Sequence, residues 1–208
     1  MAHYPISVDL RNRRCVVVGG GTVAQRKVET LIEFGAAVAV VAPELTPRLR
    51  ELASKGVIEH MAGMYEPANL DGAFLAVAAT DDPETNKAVS AEAQRRGVLV
   101  NVVDRPDLCT FFVPAIVRQG ELVISVSTSG RSPAMARRIR EELEAGFGPQ
   151  HGELAELLGD LRDEVKARYT DMTDRNRAYV RILDSDALDL LAAGKKDEAV
   201  QRARKCIL

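Results

Sequence analysis

Tryptophan is absent, and aromatic residues of every kind reach only 4% of a chain in which 46% of residues are hydrophobic. A core of this composition is aliphatic. Cysteine occurs three times (Cys15, Cys109 and Cys206), widely spaced and odd in number. That excludes a disulfide framework and fits a reducing compartment. Histidine is as scarce. His3, His60 and His151 are scattered, and no His/Cys cluster has zinc-ligand spacing, so no metal site is assigned. Neither sign of charge dominates: 28 basic residues face 30 acidic ones. Bulk electrostatics therefore call for neither nucleic acid nor an anionic membrane surface as partner. No apolar run approaches the ~18 residues of a membrane span, and no signal-peptide pattern opens the chain. The expectation is a soluble, cytoplasmic protein. A Ser-His-Asp or Cys-His catalytic arrangement has no support.

What is present is organised around one stretch. Cys15-Val16-Val17-Val18 is a short apolar run with β-branched residues, as in a strand buried on both faces. It leads straight into Gly19-Gly20-Gly21, and Val23, Ala24, Val28, Leu31 and Ile32 then fall mostly on one helical face. Strand, glycine turn and helix in this order form a phosphate cradle, because bare backbone N–H groups and the positive end of a helix converge there. The spacing Gly19-x-Gly21-x-x-Ala24 fits the dinucleotide fingerprint G-x-G-x-x-G/A. The purely structural alternative is a tight strand-to-helix turn without a ligand.

Further strands are expected at 37–42, 57–60, 74–79 and 98–103. Helices between them begin at Thr46-Pro47 and at Asp82-Pro83, each a cap followed by a first-turn proline, and Gly97 closes the second. Residues 61–72 have no strong period and read as a surface loop with a brief helix. Strands alternating with helices predict an α/β fold, a Rossmann-like doubly wound parallel sheet. The pattern then changes. Ala115–Arg118 and Leu122–Val126 flank Gln119-Gly120-Glu121 as a β-hairpin. Ser132-Pro133 starts a helix with Met135, Ile139, Leu143 and Phe147 in one stripe. From Glu153 the chain reads all-helical, with one amphipathic helix over Leu154, Leu157, Leu158, Leu161 and Val165 and two or three shorter ones after it. Three segments result: a dinucleotide domain over 1–113, a hairpin-plus-helix segment over 114–148, and a helical segment over 149–208. The middle one is too small to bury a core alone, so a homodimer formed through it is expected.

Ligands of open α/β sheets sit beyond the carboxyl ends of the strands. The second strand ends Pro43-Glu44, with an acid where a ribose would lie and no adjacent arginine for a 2′-phosphate, which favours NAD over NADP. The fourth ends Ala79-Thr80-Asp81, placed to touch the cofactor, although capping alone also accounts for Asp81 and Asp82. The fifth ends at Asp104, a carboxylate suited to accept a proton or orient a substrate, or else an ordinary turn former before Arg105-Pro106. Ser127-Thr128-Ser129-Gly130-Arg131-Ser132-Pro133 is dense in hydroxyls and opens a helix. With Arg118 and Arg131, Arg137, Arg138 and Arg140 it makes either an anion receiver or a capped helix with a solvated basic face. Cys109 reads as a small hydrophobe.

Taken together, Val17–Lys27, Ala78–Asp82, Asn101–Asp104, Phe112–Ala115 and Ser129–Pro133 resemble, in order and spacing, the precorrin-2 dehydrogenases, stand-alone or as the N-terminal module of sirohaem synthase. The resemblance implies NAD-dependent oxidation of precorrin-2 to sirohydrochlorin, in some members also insertion of ferrous iron (a ferrochelatase, or lyase, activity), and a homodimer. It implies that Thr22, Val23, Pro43 and Glu44 contact NAD and that Asp104 is the essential aspartate. Thr128 falls where some members carry a phosphorylated serine. Precorrin-2 bears many carboxylates, so Arg118, Arg131 and Arg138, with Ser127 to Ser132, are assigned to the substrate. The competing class is a regulatory module that senses NAD without chemistry; it leaves Ser127 to Pro133 unexplained.

Overall fold

Arg14–Val18 forms β1, and its valines alternate between the two faces of a sheet: Val17 packs with one apolar cluster, Val16 and Val18 with the other. That two-sided burial is why the run lacks polar alternation. The structure, a computed structural model, describes residues 4–208 and divides into two compact units, the first ending at Val113 and the second comprising Pro114–Leu208.

In the first unit, β1 is followed by α1 (Thr22–Glu33), β2 (Ala37–Ala42), α2 (Pro47–Ser54), β3 (Glu59–Ala62), β4 (Leu75–Ala78), α3 (Pro83–Arg96) and β5 (Leu99–Val102). The strands are parallel in the order β3-β2-β1-β4-β5, so the order reverses between β1 and β4. Local chemistry sets the helix ends. Thr46 accepts the Leu49 N–H at 3.2 Å, and Asp82 accepts those of Glu84 and Thr85 at 3.2 and 3.1 Å. Gly97 closes α3 at φ 70°. Ala24, Val28 and Leu31 are the buried face of α1, and Val89 and Ala93 that of α3.

One strand lies two residues later than its apolar pattern predicts. Val57 is exposed and Ile58 buried, but the strand is Glu59–Ala62 and not 57–60. It is an edge strand, and pairing with β2 (Ala39 opposite Glu59) fixes its position more strongly than its own weak hydrophobicity. Between β3 and β4 a single 3-10 turn, Pro67–Leu70, buries Leu70.

The second unit opens with an antiparallel hairpin, β6 (Ala115–Gln119) and β7 (Leu122–Val126). Two helices contact it, α4 (Pro133–Gly146), capped by Ser132, and α5 (Pro149–Asp160). The division expected after residue 148 thus falls between two helices of one unit. Next come α6 (Arg162–Arg168), α7 (Met172–Leu183), α8 (Ala187–Ala192) and α9 (Lys196–Ile207). Leu154, Leu161, Val165, Ile182, Ala203 and Ile207 share their core. The single helix expected over 154–165 is two, ending at Asp160 and restarting at Arg162, with Leu161 between them at ψ −3°, off the regular helical value. Its apolar spacing continues across the break, since both helices pack on the same core. On α4 the stripe is open: Met135 is 57% and Phe147 36% exposed.

Candidate active site

Parallel pairing brings the carboxyl ends of β1, β2, β4 and β5 to one edge of the sheet, at the place where the strand order reverses. A cleft of about 930 Å³ opens there. Gly19, Gly20, Gly21, Thr22, Val23, Pro43, Glu44, Ala79, Thr80, Asp81 and Asp104 all line it.

The three glycines differ in what requires them. Gly19 has φ +124°, and a Cβ there would stand 2.3 Å from the Ala79 carbonyl oxygen. At Gly20 a Cβ would meet the Glu44 carbonyl oxygen at 1.9 Å. Both are demanded by the protein's own packing. Gly21 has an ordinary φ of −81°, and a Cβ there would meet nothing within 4 Å. The space above Gly21, at the N-terminus of α1, is therefore open to a ligand, which fits the close approach of a pyrophosphate.

Glu44 is exposed on the cleft at the end of β2. The loop behind it is tied down: the Thr46 N–H donates to Gly20 O at 3.0 Å, and the Thr46 hydroxyl to Gln25 Oε1 at 2.8 Å. The arginines further on are engaged. Arg48 pairs with Glu51 at 2.8 Å and Glu29 at 3.4 Å, and Arg50 donates to the Leu45 carbonyl at 3.2 Å. Bonds from Lys55 first, then Arg48, hold the Glu51 carboxyl down to about 2. An acid facing the cleft while the cations are occupied suits a ribose diol and repels a 2′-phosphate.

At the end of β4 both Asp81 and Asp82 line the cleft, and Asp82 also caps α3. Bonds from Thr85 (hydroxyl first, then N–H) and from the Glu84 N–H hold the Asp82 carboxyl below the usual range. Thr80 is fixed by Asn86, 8% exposed, whose amide accepts the Thr80 hydroxyl at 2.8 Å and donates to the Thr80 carbonyl at 2.9 Å. Asn86 lies inside a helix, and its sequence neighbours give no sign of this role.

Asp104 stands third in the turn Val102–Arg105, closed by the Arg105 N–H to the Val102 carbonyl at 3.3 Å. Its φ is +58°, a left-handed conformation uncommon outside glycine and tolerated by Asp. Arg105 is spent on Asp107, two bonds at 2.9 and 2.7 Å, so the turn itself does not neutralise the Asp104 carboxylate. Lys27, half-buried on α1, feels the Asp104 carboxylate. Burial first, then Arg26, push the Lys27 ammonium below its usual range, and Asp104 and Cys109 pull the other way.

The residues assigned to a substrate belong to the second unit. Thr128 and Ser132 bind each other: the Ser132 N–H donates to Thr128 Oγ1 at 3.0 Å, and the Thr128 hydroxyl to the Ser132 carbonyl at 3.1 Å. The Ser129 N–H donates to the Ser127 hydroxyl at 3.1 Å, and Ser129 and Gly130 have φ of +52° and +78°. The arginines are less bare than their number suggests. Arg137, Arg138 and Arg140 each pair with a glutamate four residues on. Arg131 has no ion pair among the described residues, and Arg118 donates to the Gly120 carbonyl at 3.4 Å. Among the described residues no group of three or more His, Cys, Asp or Glu side chains is placed to hold a metal ion, and no helix is long and apolar enough to cross a membrane. His3 lies outside the described residues.

The strand order, the glycine turn and the cleft at the reversal define a dinucleotide-binding domain of Rossmann-like type. Accordingly, residues 6–115 match the family described as putative NAD(P)-binding, residues 119–146 the sirohaem biosynthesis protein central family, and residues 150–207 the sirohaem synthase dimerisation region. The siroheme synthase of Chromobacterium violaceum is 46% identical over 203 residues, 98% of this chain and 43% of its own length. That of Methylobacillus flagellatus is 43% identical over 208 residues, 100% of this chain and 44% of its own. The chain thus spans less than half the length of these relatives. A solved structure, SirC, precorrin-2 dehydrogenase, superposes with a TM-score of 0.78 at 27% identity, covering 98% of this chain and 100% of that one. The chain belongs to the family described as putative NAD(P)-binding, and its later segments match the two sirohaem-synthase families. The dimerisation description falls on 150–207, C-terminal to the 114–148 segment for which that role was expected.

Proposed function

We propose that this chain oxidises precorrin-2 to sirohydrochlorin with NAD, in sirohaem biosynthesis. The observation that carries the reading is a cleft that pairs the open Cβ position of Gly21 with the carboxylate of Asp104. The likeness to a precorrin-2 dehydrogenase along essentially the whole of both chains supports the choice of substrate.

Bound NAD supplies the acceptor for two electrons and a hydrogen. The chain's own residues do the rest. Backbone N–H groups of the Gly19–Gly21 turn and the first turn of α1, with Thr22 and Val23, hold the pyrophosphate. Pro43 and Glu44 take the ribose, with Glu44 accepting its hydroxyls. Ala79, Thr80 and Asp81 form the facing wall, stiffened by Asn86. Loss of hydride from the macrocycle leaves one proton to remove, and Asp104 accepts it. Arg118, Arg131 and Arg138, with the hydroxyls and backbone of Ser127 to Ser132, bind carboxylates of the substrate.

A homodimer is part of the reading. Its support is the matched dimerisation region and the 47% exposure of Val123 on a hairpin that α4 and α5 contact within the chain. Light scattering on the purified chain should give twice the monomer mass; a monomer at working concentration refutes it.

The activity is tested with Asp104→Ala. Turnover of precorrin-2 should vanish while calorimetry still reports NAD binding. Retained turnover removes Asp104 from the mechanism. NAD binding without any turnover by the unaltered chain favours the sensing module instead.

A further inference from the structure

β5 is the outer strand of its sheet, and the segment that follows folds back to close its free edge. The outward N–H of Val100 donates to the Thr110 hydroxyl at 2.8 Å, and the Val100 carbonyl accepts the Thr110 N–H at 2.8 Å. Two residues on, Cys109 does the same for Val102. Its sulfur accepts the Val102 N–H at 3.2 Å and, more weakly, the Asn101 amide at 3.6 Å. Its S–H lies 3.3 Å from both the Val102 carbonyl and the Arg105 carbonyl. Val102 and Arg105 are the first and last residues of the turn in which Asp104 sits at φ +58°. One thiol therefore spans the turn that presents the carboxylate to the cleft. The segment behind it is anchored too, by Ser90, whose hydroxyl donates to the Leu108 carbonyl at 2.7 Å, and by the Asn101 amide on the Phe111 carbonyl at 3.1 Å.

We propose that Cys109 is a positioning residue for Asp104: its thiol, as donor and acceptor at once, holds the 102–105 turn in the left-handed geometry that aims the carboxylate into the cofactor cleft. The proposal rests on the reading of Asp104 as proton acceptor. A left-handed non-glycine residue is held by its surroundings and not by its own preference. Here the surroundings are the Arg105-to-Val102 backbone bond and the thiol. Burial keeps the thiol in its protonated form, with Lys27 and Asp107 the charged groups acting on it from α1 and from the loop. The same contacts require that Cys109 stay reduced and unmodified.

The test compares Cys109→Ala and Cys109→Ser with the unaltered chain. Removal of the clasp should lower kcat about ten- to hundredfold, the scale of a misplaced catalytic group, with NAD affinity unchanged; Ser, which keeps a shorter donor and acceptor, should recover part of the loss. A merely structural cysteine would lower thermal stability and leave kcat per folded molecule intact, and that result overturns the proposal. If Ala does not fold, Ser at full kcat overturns it equally. An independent reading comes from amide exchange at Arg105, which should accelerate in Cys109→Ala. If the unaltered chain has no activity, the functional reading falls, and unchanged Arg105 exchange then refutes the clasp on its own evidence.

Discussion

Adding one methyl at Gly21 separates what the fold needs from what the cofactor needs. Gly21→Ala introduces a Cβ with no neighbour within 4 Å on a backbone at φ −81°. Two small terms oppose each other: alanine restricts the unfolded chain, worth about 0.4–1 kcal/mol, and is a poorer N-cap than glycine by a comparable amount. Net stability should stay within about 1 kcal/mol of the parent. The methyl occupies the place where a phosphate oxygen meets the turn. Loss of one charge-assisted hydrogen bond, about 1.5–3 kcal/mol, weakens NAD binding about ten- to hundredfold. Gly20→Ala behaves in the opposite order, because its Cβ would lie 1.9 Å from the Glu44 carbonyl oxygen, and backbone must move. Its overpacking cost falls at or above the upper end of about 1–3 kcal/mol. The assays are NAD titration by calorimetry and urea unfolding by circular dichroism on both variants. Parental NAD affinity in Gly21→Ala would refute the reasoning, as would a loss of several kcal/mol of stability there.

The fully buried Cys15 thiol is pushed by burial from 9.0 up to about 11, so the unfolded chain ionises first as pH rises. The stabilisation is complete below about pH 9 and lost through about pH 11. It amounts to about 2–3 kcal/mol, and urea midpoints across that window should fall less in Cys15→Ala than in the parent. Calorimetry should show tighter binding of NAD than of NADP, and Glu44→Ala should narrow the difference; equal affinities in the parent would contradict the role given to Glu44. Arg131→Ala should raise the KM for precorrin-2 several-fold and leave NAD affinity unchanged. Arg138→Ala should do less, because Arg138 is already paired with Glu142; an unmoved KM in both removes the arginines from the substrate site.

Features carried by local chemistry were legible in the sequence. Thr46-Pro47, Asp82-Pro83, Ser132-Pro133 and Gly97 each announce a helix end through a donor count or a dihedral demand. The buried strands β1, β2 and β4 read directly as apolar runs, and the glycine turn as a cradle. Features decided by neighbours distant in sequence were not. β3 takes its register from β2, with residues 59–62 mostly exposed. The break at Leu161 leaves no trace in an apolar spacing that serves both helices. Within the site, the residues on strand ends were nameable because position alone brings them to the cleft. Lys27, Asn86 and Cys109 were not, because their roles arise from burial and from partners on other elements. Cys109 reads as a small hydrophobe until its sulfur is seen against Val102 and Arg105.

An anaerobic single-turnover experiment on the purified chain, with precorrin-2 limiting and NAD in excess, follows reduced nicotinamide and sirohydrochlorin together. One NADH should form per sirohydrochlorin in the parent and none in Asp104→Ala. Sirohydrochlorin appearing without NADH, or equal yields from the two proteins, would contradict oxidation at this cleft.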